Sequence, residues 1–383
     1  MISRWSSGLL CLIAISCSSN GEHSLYSEQT IGNTFVRSYH SDTPPELNPL
    51  SLLDPVSYGT DQSEDTYLLV SPFPLGRSDD GRLFVLDQRP TVIHIFNAEG
   101  EHLTSFGREG QGPGEFSVFL SGKVVGDRLI LWNSGNQALM QFDLDGNYIS
   151  EKRLPGYSWT HDLIPFEFPD GLRYLLRRTA TEMNNAYIQV HSLDSEFNKV
   201  HAVIDTVIHP DTVLIGGRET PHPYSTTELK VASHPNLPVA YAYPTDYRIY
   251  FEDVWRDSRW EVKIPREPHP VTRQHRNLTI QRYERRNLEE EARRRLKFPS
   301  TLPIISNLSW STDGLLWCRL VPAAAEISNI YEYDVFSSEG YWLFRQTLPG
   351  FPYLITENGY FTSAVSEEGE PLIIFHPWIT TEG

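Results

Sequence analysis

The sequence predicts an all-β fold of radially repeated four-stranded units, and three observations carry that reading. The first is an internal repeat. Asp79-Asp80-Gly81-Arg82-Leu83-Phe84-Val85-Leu86-Asp87 and Val92-Ile93-His94-Ile95-Phe96-Asn97-Ala98-Glu99-Gly100 are written again as Gly126-Asp127-Arg128-Leu129-Ile130-Leu131-Trp132-Asn133 and Ala138-Leu139-Met140-Gln141-Phe142-Asp143-Leu144-Asp145-Gly146. One constant offset sets Arg82 on Arg128, Asp87 on Asn133, Phe96 on Phe142 and Gly100 on Gly146. A period of about 45 residues, with strand, turn, strand and a closing acidic-Gly turn, marks a radial β-repeat. The second is composition: 19 Tyr, 18 Phe and 9 Trp against 3 Met suit pleated surfaces better than helices. The third is punctuation, since 27 Pro and 25 Gly supply the many turns that short strands need. Together they predict a radial β-repeat, and the blades counted along the chain below make it a six-bladed β-propeller of four-stranded antiparallel blades with one helical insertion.

The elements follow in chain order. Residues 1–16 read as a signal peptide, with Arg4 ahead of the apolar run Gly8–Ser16, which is too short to span a bilayer. Ala14-Ile15-Ser16-Cys17 resembles a bacterial lipobox, in which Cys17 would be acylated; ordinary cleavage nearby is the alternative. Residues 17–32 then form a lipidated, flexible tether, and 33–383 the propeller. Cys11 leaves with the signal peptide and Cys17 would carry lipid, so Cys318 is the one remaining thiol and reads as a small buried apolar residue. A formal net charge of −17 argues against nucleic acid or an anionic membrane as partner of the body as a whole.

Blade one is expected at Tyr67–Pro74, Arg82–Asp87, Val92–Asn97 and His102–Phe106. Blade two is expected at Leu120–Val125, Arg128–Asn133, Ala138–Asp143 and Tyr148–Leu154. Blade three is weaker, at His161–Phe168, Leu172–Arg177, Ala186–Leu193 and Val200–Ile204. Blade four uses Leu229–Ala232, Val239–Tyr243, Tyr247–Phe251 and Trp260–Ile264. Blade five recovers the pattern with Ile304–Leu308, Asp313–Trp317, Ile330–Phe336 and Tyr341–Leu348. Blade six has Tyr353–Thr356, Tyr360–Val365 and Leu372–Phe375, which leaves it one strand short. The β-rich segment Thr34–Tyr39 has no blade of its own and is expected to supply that outer strand and close the ring.

Between blades four and five, residues 272–297 lack Gly and Pro and read as a helix of about seven turns. Glu289→Arg293, Glu290→Arg294 and Glu291→Arg295 are favourable i,i+4 pairs, and Leu288, Ala292 and Leu296 line one side. The segment holds nine Arg/Lys against four Glu, the one basic element of an acidic chain. A solvated helix lying across the propeller accounts for it, with a grip on an acidic partner left open.

Phe106-Gly107-Arg108-Glu109-Gly110-Gln111-Gly112-Pro113-Gly114-Glu115-Phe116, lying between one blade's last strand and the next blade's first, resembles the inter-blade loop of NHL-repeat propellers. More narrowly, with Gly126–Gly146 after it, it is similar to the bacterial 6-bladed β-propeller lipoproteins; Asn133 stands where that family has Asp. Pro303–Leu308 through Asp313–Trp317 resembles the family's later blades. The resemblance implies the fold and a place at the bacterial cell envelope, lipid-anchored on the periplasmic side or at the outer membrane. It leaves activity open, because propellers host binding proteins, lyases and lactonases alike.

The candidate chemistry is weighed on that frame. Gly110-Gln111-Gly112-Pro113-Gly114 precedes a strand rather than a helix and is followed by no Lys-Ser/Thr, so an inter-blade loop outweighs a phosphate loop. No helical His pair or Cys cluster marks a zinc site. Scattered His ligands remain the alternative, with His161 and His234, near the starts of blades, as the ones to face the central channel. Loops from an outer strand to the next inner strand share one face with loops between second and third strands. Binding residues concentrate on such loops, and Asp87, Arg89, Arg108, Glu109, Trp132, Asn133, Asn136, Trp317 and Arg319 are the candidates there. The expected role is a ligand- or protein-binding or scaffold module using that loop-rich face, preferred over catalysis. The alternative is a metal-assisted lyase or lactonase at the channel mouth. No cofactor is expected, a divalent calcium or zinc ion being the alternative. The partner would be a protein, small molecule or glycan, without nucleic acid. Membrane contact would come through the N-terminal lipid alone, and the protein would be a monomer.

Overall fold

The computed structural model describes residues 24–380 less the stretches 61–66, 68, 117–119, 154–160, 169–170, 183–184, 195–198, 209–211, 216–217, 222–223, 225–228, 235–236, 254–255, 286–289 and 326–328. Signal peptide, Cys17 and the start of the tether lie outside the described residues. The described part is mostly β: six blade sheets, each built on an antiparallel meander, follow one another along the chain beside a separate two-stranded hairpin, as a six-bladed propeller requires.

Blade one is the meander Pro72–Arg77, Leu83–Gln88, Thr91–Phe96, His102–Phe106, and blade two is Leu120–Val125, Arg128–Asn133, Ala138–Asp143, Tyr148–Arg153. Their turns are chemically the same turn. Asn97 Oδ1 accepts the amides of Glu99 and Glu101, and Asp143 Oδ1 accepts those of Asp145 and Asn147. Gly100 and Gly146 then adopt φ of +93° and +85°, which disfavours a side chain. Each also touches the outer strand of the preceding blade: a Cβ on Gly146 would come within 2.5 Å of Phe106, and one on Gly100 within 2.5 Å of the Ser57 carbonyl. The repeated glycine is therefore a blade-to-blade contact as well as a turn.

Blade three (His161–Phe168, Gly171–Glu182, Asn185–Leu193, Lys199–Ile208) has longer strands than its weak sequence signal suggests. Blade four is Lys230–Ala232, Val239–Ala242, Arg248–Asp253, Ser258–Lys263, and blade five is Ile305–Trp310, Leu316–Leu320, Ile330–Phe336, Trp342–Pro349. Blade six contributes Leu354–Thr356, Gly359–Val365 and Pro371–Thr380. Apolar clusters lie between successive sheets. Leu75, Phe84, Leu86, Ile93, Phe116, Leu131 and Met140 join blades one and two. Ala240, Ile249, Val262, Ile305, Leu316 and Phe336 join four and five. Burying each such large side chain stabilises by about 1.5–3 kcal/mol.

The closing strand is not the one the sequence suggested. The chain begins with β1 (Tyr26–Ile31), β2 (Thr34–Tyr39), β3 (Leu50–Leu52) and β4 (Val56–Tyr58). β2 lies parallel to Ser258–Lys263, the outer strand of blade four, and β1 pairs antiparallel with β2. Blade six is completed instead by β4 against Ile373–Phe375 and β3 against Trp378–Thr380. Between them Asn48 and Glu46 bond the backbone of Arg345 at the edge of blade five. Residues 26–58 thus form a strap along the outer edges of blades four, five and six. Packing explains the choice. Val36, Arg37 and Tyr39 are buried at blade four, where Tyr39 meets Trp342 edge-on at 5.5 Å and its hydroxyl accepts the Trp342 amide. Tyr58, close in sequence to blade one, is buried between Phe96 and Phe361 with its hydroxyl donating to the Ala98 carbonyl.

The insertion is also shorter-limbed than expected. α1 (Arg273–Glu284) and α2 (Glu290–Arg295) replace one helix over 272–297, with 286–289 outside the described residues. α1 starts at a capping box: the Thr272 hydroxyl accepts the His275 amide and His275 Nδ1 accepts the Thr272 amide, so the chain cannot extend the helix backwards. His275, Thr279 and Tyr283 form its buried stripe. Of the predicted stripe, Leu288 and the Ala292 side chain fall outside the described residues, and Leu296 is half-buried. The Glu290–Arg294 pair forms at 3.5 Å, whereas Arg293 pairs with Glu284 of α1 at 2.8 Å. Two backbone hydrogen bonds, Val271 to Ser300 and Leu302 to His269, tie the two ends of the insertion together. No helix among the described residues is long and apolar enough to cross a membrane.

Candidate functional site

The meander direction puts the loop after each outer strand, and the loop between second and third strands, on one face of the ring. On that face the connection between blades three and four meets the helical insertion. Tyr224 packs edge-on against His275 at 5.7 Å, and α2 lies beside the strand Thr212–Ile215 of the hairpin closed by Arg218–Pro221.

The predicted site residues divide into structural and exposed ones. Asp87 is fully buried, and its carboxylate accepts the amides of Val70 (2.6 Å), Ser71 (2.9 Å) and Arg89 (3.0 Å). Asn133, its repeat partner, is also fully buried, donating to the Glu115 carbonyl and accepting the Asn136 amide. Both fasten an inter-blade loop to a second strand. Trp132 and Trp317 are 1% exposed, with Trp317 stacked on Trp378 at 5.5 Å, so neither presents a flat aromatic surface to solvent. These strands are covered on both faces, and the second strand therefore reads as a continuous apolar run with its Trp inside.

Arg89, Arg108 and Glu109 are exposed and Asn136 is half-buried. Arg108 is engaged: it forms an ion pair with Glu115 at 2.6 Å, and the Glu115 carboxylate also accepts the Gly112 amide at 2.8 Å. Those contacts, the Gly112 amide first and Arg108 second, hold the Glu115 carboxyl below its usual range. The Gly-rich loop is thus closed on its own carboxylate, as an inter-blade loop rather than an anion cradle. His161 begins its strand with its side chain outside the described residues, and His234 is half-buried. Lys123, on the inner strand of blade two, reaches the Ser233 carbonyl beside the inner strand of blade four at 3.4 Å, so its ammonium reaches across the ring interior. Among the described residues, no three His, Cys, Asp or Glu side chains come together as a metal site.

One predicted residue sits at the centre of a group that the sequence did not reveal. Arg319, at the end of the second strand of blade five, stacks its guanidinium over Phe351 at 4.9 Å and Tyr331 at 5.6 Å. Its Nε donates to Ser306 Oγ at 2.7 Å, which fixes the plane of the group. Phe351 packs edge-on with Tyr331 (5.8 Å) and Tyr353 (5.2 Å), and Tyr353 with Phe73 of blade one (5.4 Å). Phe73 and Tyr353 are 37% and 43% exposed, and Ile330 beside Tyr331 is 57% exposed. Their strands enter through Pro72-Phe73-Pro74 and Phe351-Pro352-Tyr353, where proline holds the backbone extended and presents the rings. That doubled Pro-aromatic pattern at two blade entrances was the signal available in the sequence.

Residues 32–220 match the family profile DUF5128, described as 6-bladed beta-propeller. Over that stretch the chain is similar to the 6-bladed β-propeller family, whose fold the six blades share. This 6-bladed β-propeller resembles a candidate exported protein from Bacteroides fragilis, at 14% identity over 89% of this chain and 98% of that one, with a TM-score of 0.50. A member of the DUF4221 family from Bacteroides vulgatus aligns at 9% identity over 87% and 99% of the two chains, TM-score 0.44. A gluconolactonase from Xanthomonas campestris aligns at 13% identity over 86% and 98%, TM-score 0.33. No curated protein matches the chain.

Proposed function

We propose that this propeller is a cell-envelope binding or scaffold module whose recognition surface is the group Phe73, Tyr331, Phe351 and Tyr353 around Arg319. The observation that carries the reading is partial exposure of aromatic rings on a rigid scaffold, at the face where the loops gather. Aromatic side chains give contact area at low entropic cost, and an oriented Arg adds a directional, charged donor; both are enriched where binding energy concentrates. The ligand that fits is a protein or small molecule with an apolar surface and an acidic group. Export through residues 1–16 and acylation of Cys17 would hold the module at the envelope.

Site-specific photocrosslinking in cells tests this. A benzophenone side chain at position 73 or 353 is expected to give discrete adducts that one at Asp79, on the opposite face, does not. Identical adduct patterns at all three positions would exclude the aromatic group as the site. The competing metal-enzyme reading takes over if the purified mature chain carries a stoichiometric divalent metal that His161→Ala or His234→Ala removes.

A further inference from the structure

A bulge recurs in the outer strands of blades one, two and five, and it makes the same slot with different contents. In blade one His94 lies opposite Ser105 and Phe96 opposite His102, so Leu103 is an extra residue and His102 comes to the side of the sheet that carries Ser105. The same slip sets Met140 opposite Glu151 and Phe142 opposite Tyr148 in blade two, and Asp334 opposite Arg345 and Phe336 opposite Trp342 in blade five. In blade five the slot is closed on itself: Asp334 and Arg345 pair at 2.7 Å, and the Arg345 guanidinium lies 5.4 Å from the Trp342 ring. In blade two Met140 is fully buried, and Glu151 pairs with Arg153 at 3.6 Å. Of these three blades, blade one alone fills the slot with two imidazoles and a hydroxyl.

His94 Nδ1 and His102 Nε2 each lie 2.7 Å from Ser105 Oγ. Aromatic neighbours hold the rings: Tyr67 stacks on His102 at 4.3 Å, and Phe96 meets it edge-on at 5.5 Å. His94 is 3% exposed and its Nε2 has no partner among the described residues, whereas Ser105 is exposed. A hydroxyl between two ring nitrogens has one proton to give, so it donates to one ring and accepts from the other. A hydrogen bond to the Thr104 backbone favours the protonated His102 ring, so His102 donates there. With Nε2 on Ser105, that donor is Nδ1, and Nε2 holds a lone pair. The Ser105 proton therefore points at His102 Nε2, and His94 Nδ1–H donates to the same oxygen. Burial pushes both rings below the usual histidine range. His94 falls to about 4, through burial first and the neighbouring His102 second, with Asp87 opposing. Both rings are neutral near pH 7, which leaves His102 able to take a proton.

We infer that Ser105 is a reactive nucleophile for activated acyl groups, with His102 as its general base and His94 as the donor that steadies its oxygen. Hydroxyl, ring and backbone carbonyl stand in the order of an activated serine whose base is oriented by a third group. Ser105 Oγ bonds to the acyl carbon as its proton passes to His102 Nε2. The bond to the leaving oxygen breaks, and that oxygen takes the proton from His102. Water then adds to the acyl carbon, giving a proton to His102; the bond to Oγ breaks, and Ser105 recovers the proton as the carboxylic acid departs. Both rings act on the serine oxygen, so the substrates that fit are esters whose leaving group departs readily, such as aryl esters. The site lies on the outer strand of blade one, apart from the Arg319 group, and does not depend on the binding-module reading.

The test uses the full mature chain and a fluorophosphonate probe, whose phosphorus takes the place of the acyl carbon. Peptide mass spectrometry is expected to place the adduct on Ser105, and the urea-unfolded chain should react at least tenfold more slowly. Ser105→Ala should remove that adduct. Ser150→Ala, at an exposed serine of the outer strand of blade two, should leave the labelling rate unchanged. His102→Gln keeps a side chain that can hydrogen-bond Ser105 but takes no proton, and it should lower the rate at least tenfold with an unchanged urea midpoint. p-Nitrophenyl acetate should acetylate Ser105 in the wild type and not in Ser105→Ala. Absence of any adduct on Ser105 in the folded wild type overturns the inference, and that outcome needs no variant to fold. Labelling of folded His102→Gln at the wild-type rate also overturns it, and makes the slot a packing arrangement like that of blade five.

Discussion

The two faces of this ring are made by the same chain under opposite constraints. The acidic-turn face is where the repeat is strictest. Asn97 and Asp143 make the same side-chain-to-amide turn, and Gly100 and Gly146 take the same left-handed backbone against the neighbouring outer strand. The loop-rich face is where the copies diverge, into a Gly-rich loop closed on Glu115, a helical insertion and the Arg319 aromatic group. Residues shared between blades assemble the ring; those peculiar to one junction are available for other work. Substitutions on the first face should therefore show as lost stability, and those on the second as lost recognition.

The largest effect is expected from Tyr58→Ala. Tyr58 is fully buried between Phe96 and Phe361, and its hydroxyl bonds the Ala98 carbonyl in an acidic-face turn. Removing a buried aromatic ring costs about 3–5 kcal/mol, which urea unfolding would read as a lower midpoint. Because Tyr58 belongs to the strand that completes blade six, the same experiment tests where the ring closes. A midpoint within error of wild type would return that role to Thr34–Tyr39.

Asp87→Ala should come next and blurs the division in an instructive way. Its position near the loop-rich face and its charge make it look like a ligand contact, yet three backbone amides converge on its carboxylate. Leaving them unpaired costs on the order of 2–4 kcal/mol, again measured by urea unfolding. A destabilisation under about 0.5 kcal/mol, the range of an ordinary surface substitution, would move Asp87 back among the recognition residues.

How far the sequence reaches follows from which contacts are local. The turns of blades one, two and five are readable because their Asp, Asn, Ser and Gly act within five residues of one another. α1 is readable from its lack of Gly and Pro, although its start is set by Thr272 and His275 rather than by charge pairs. The register of β2 is not readable: a strand added parallel to the edge of blade four is specified by Tyr39 meeting Trp342, some three hundred residues away. Trp132 and Trp317 mislead for a related reason, since a strand buried on both faces carries no alternation to show which rings are inside. The Arg319 group joins residues 73, 319, 331, 351 and 353, and no local pattern connects the first to the rest.

The smallest effect on stability, and the sharpest test of the comparison, is expected from Phe73→Ala with Tyr353→Ala. Each ring keeps more than a third of its surface in water and contacts the other edge-on, so truncation removes little buried area. The exposed part was never buried by folding, and the unfolding midpoint should shift by no more than about 1 kcal/mol for the pair. Recognition should respond in the opposite proportion. If the aromatic group is the contact surface, crosslinks formed from a benzophenone at nearby position 330 should fall severalfold in the double variant while the protein stays folded. Arg319→Lys adds a second control, because lysine keeps the charge but loses the planar stack on Phe351 and the fixed Nε bond to Ser306. Retained crosslinking in Arg319→Lys with loss in the double alanine variant would assign recognition to the rings. Loss in both would assign it to rings and oriented guanidinium together. A double variant that unfolds early but still crosslinks would invert the comparison, making the aromatic group part of the ring's framework and leaving recognition to the helical insertion.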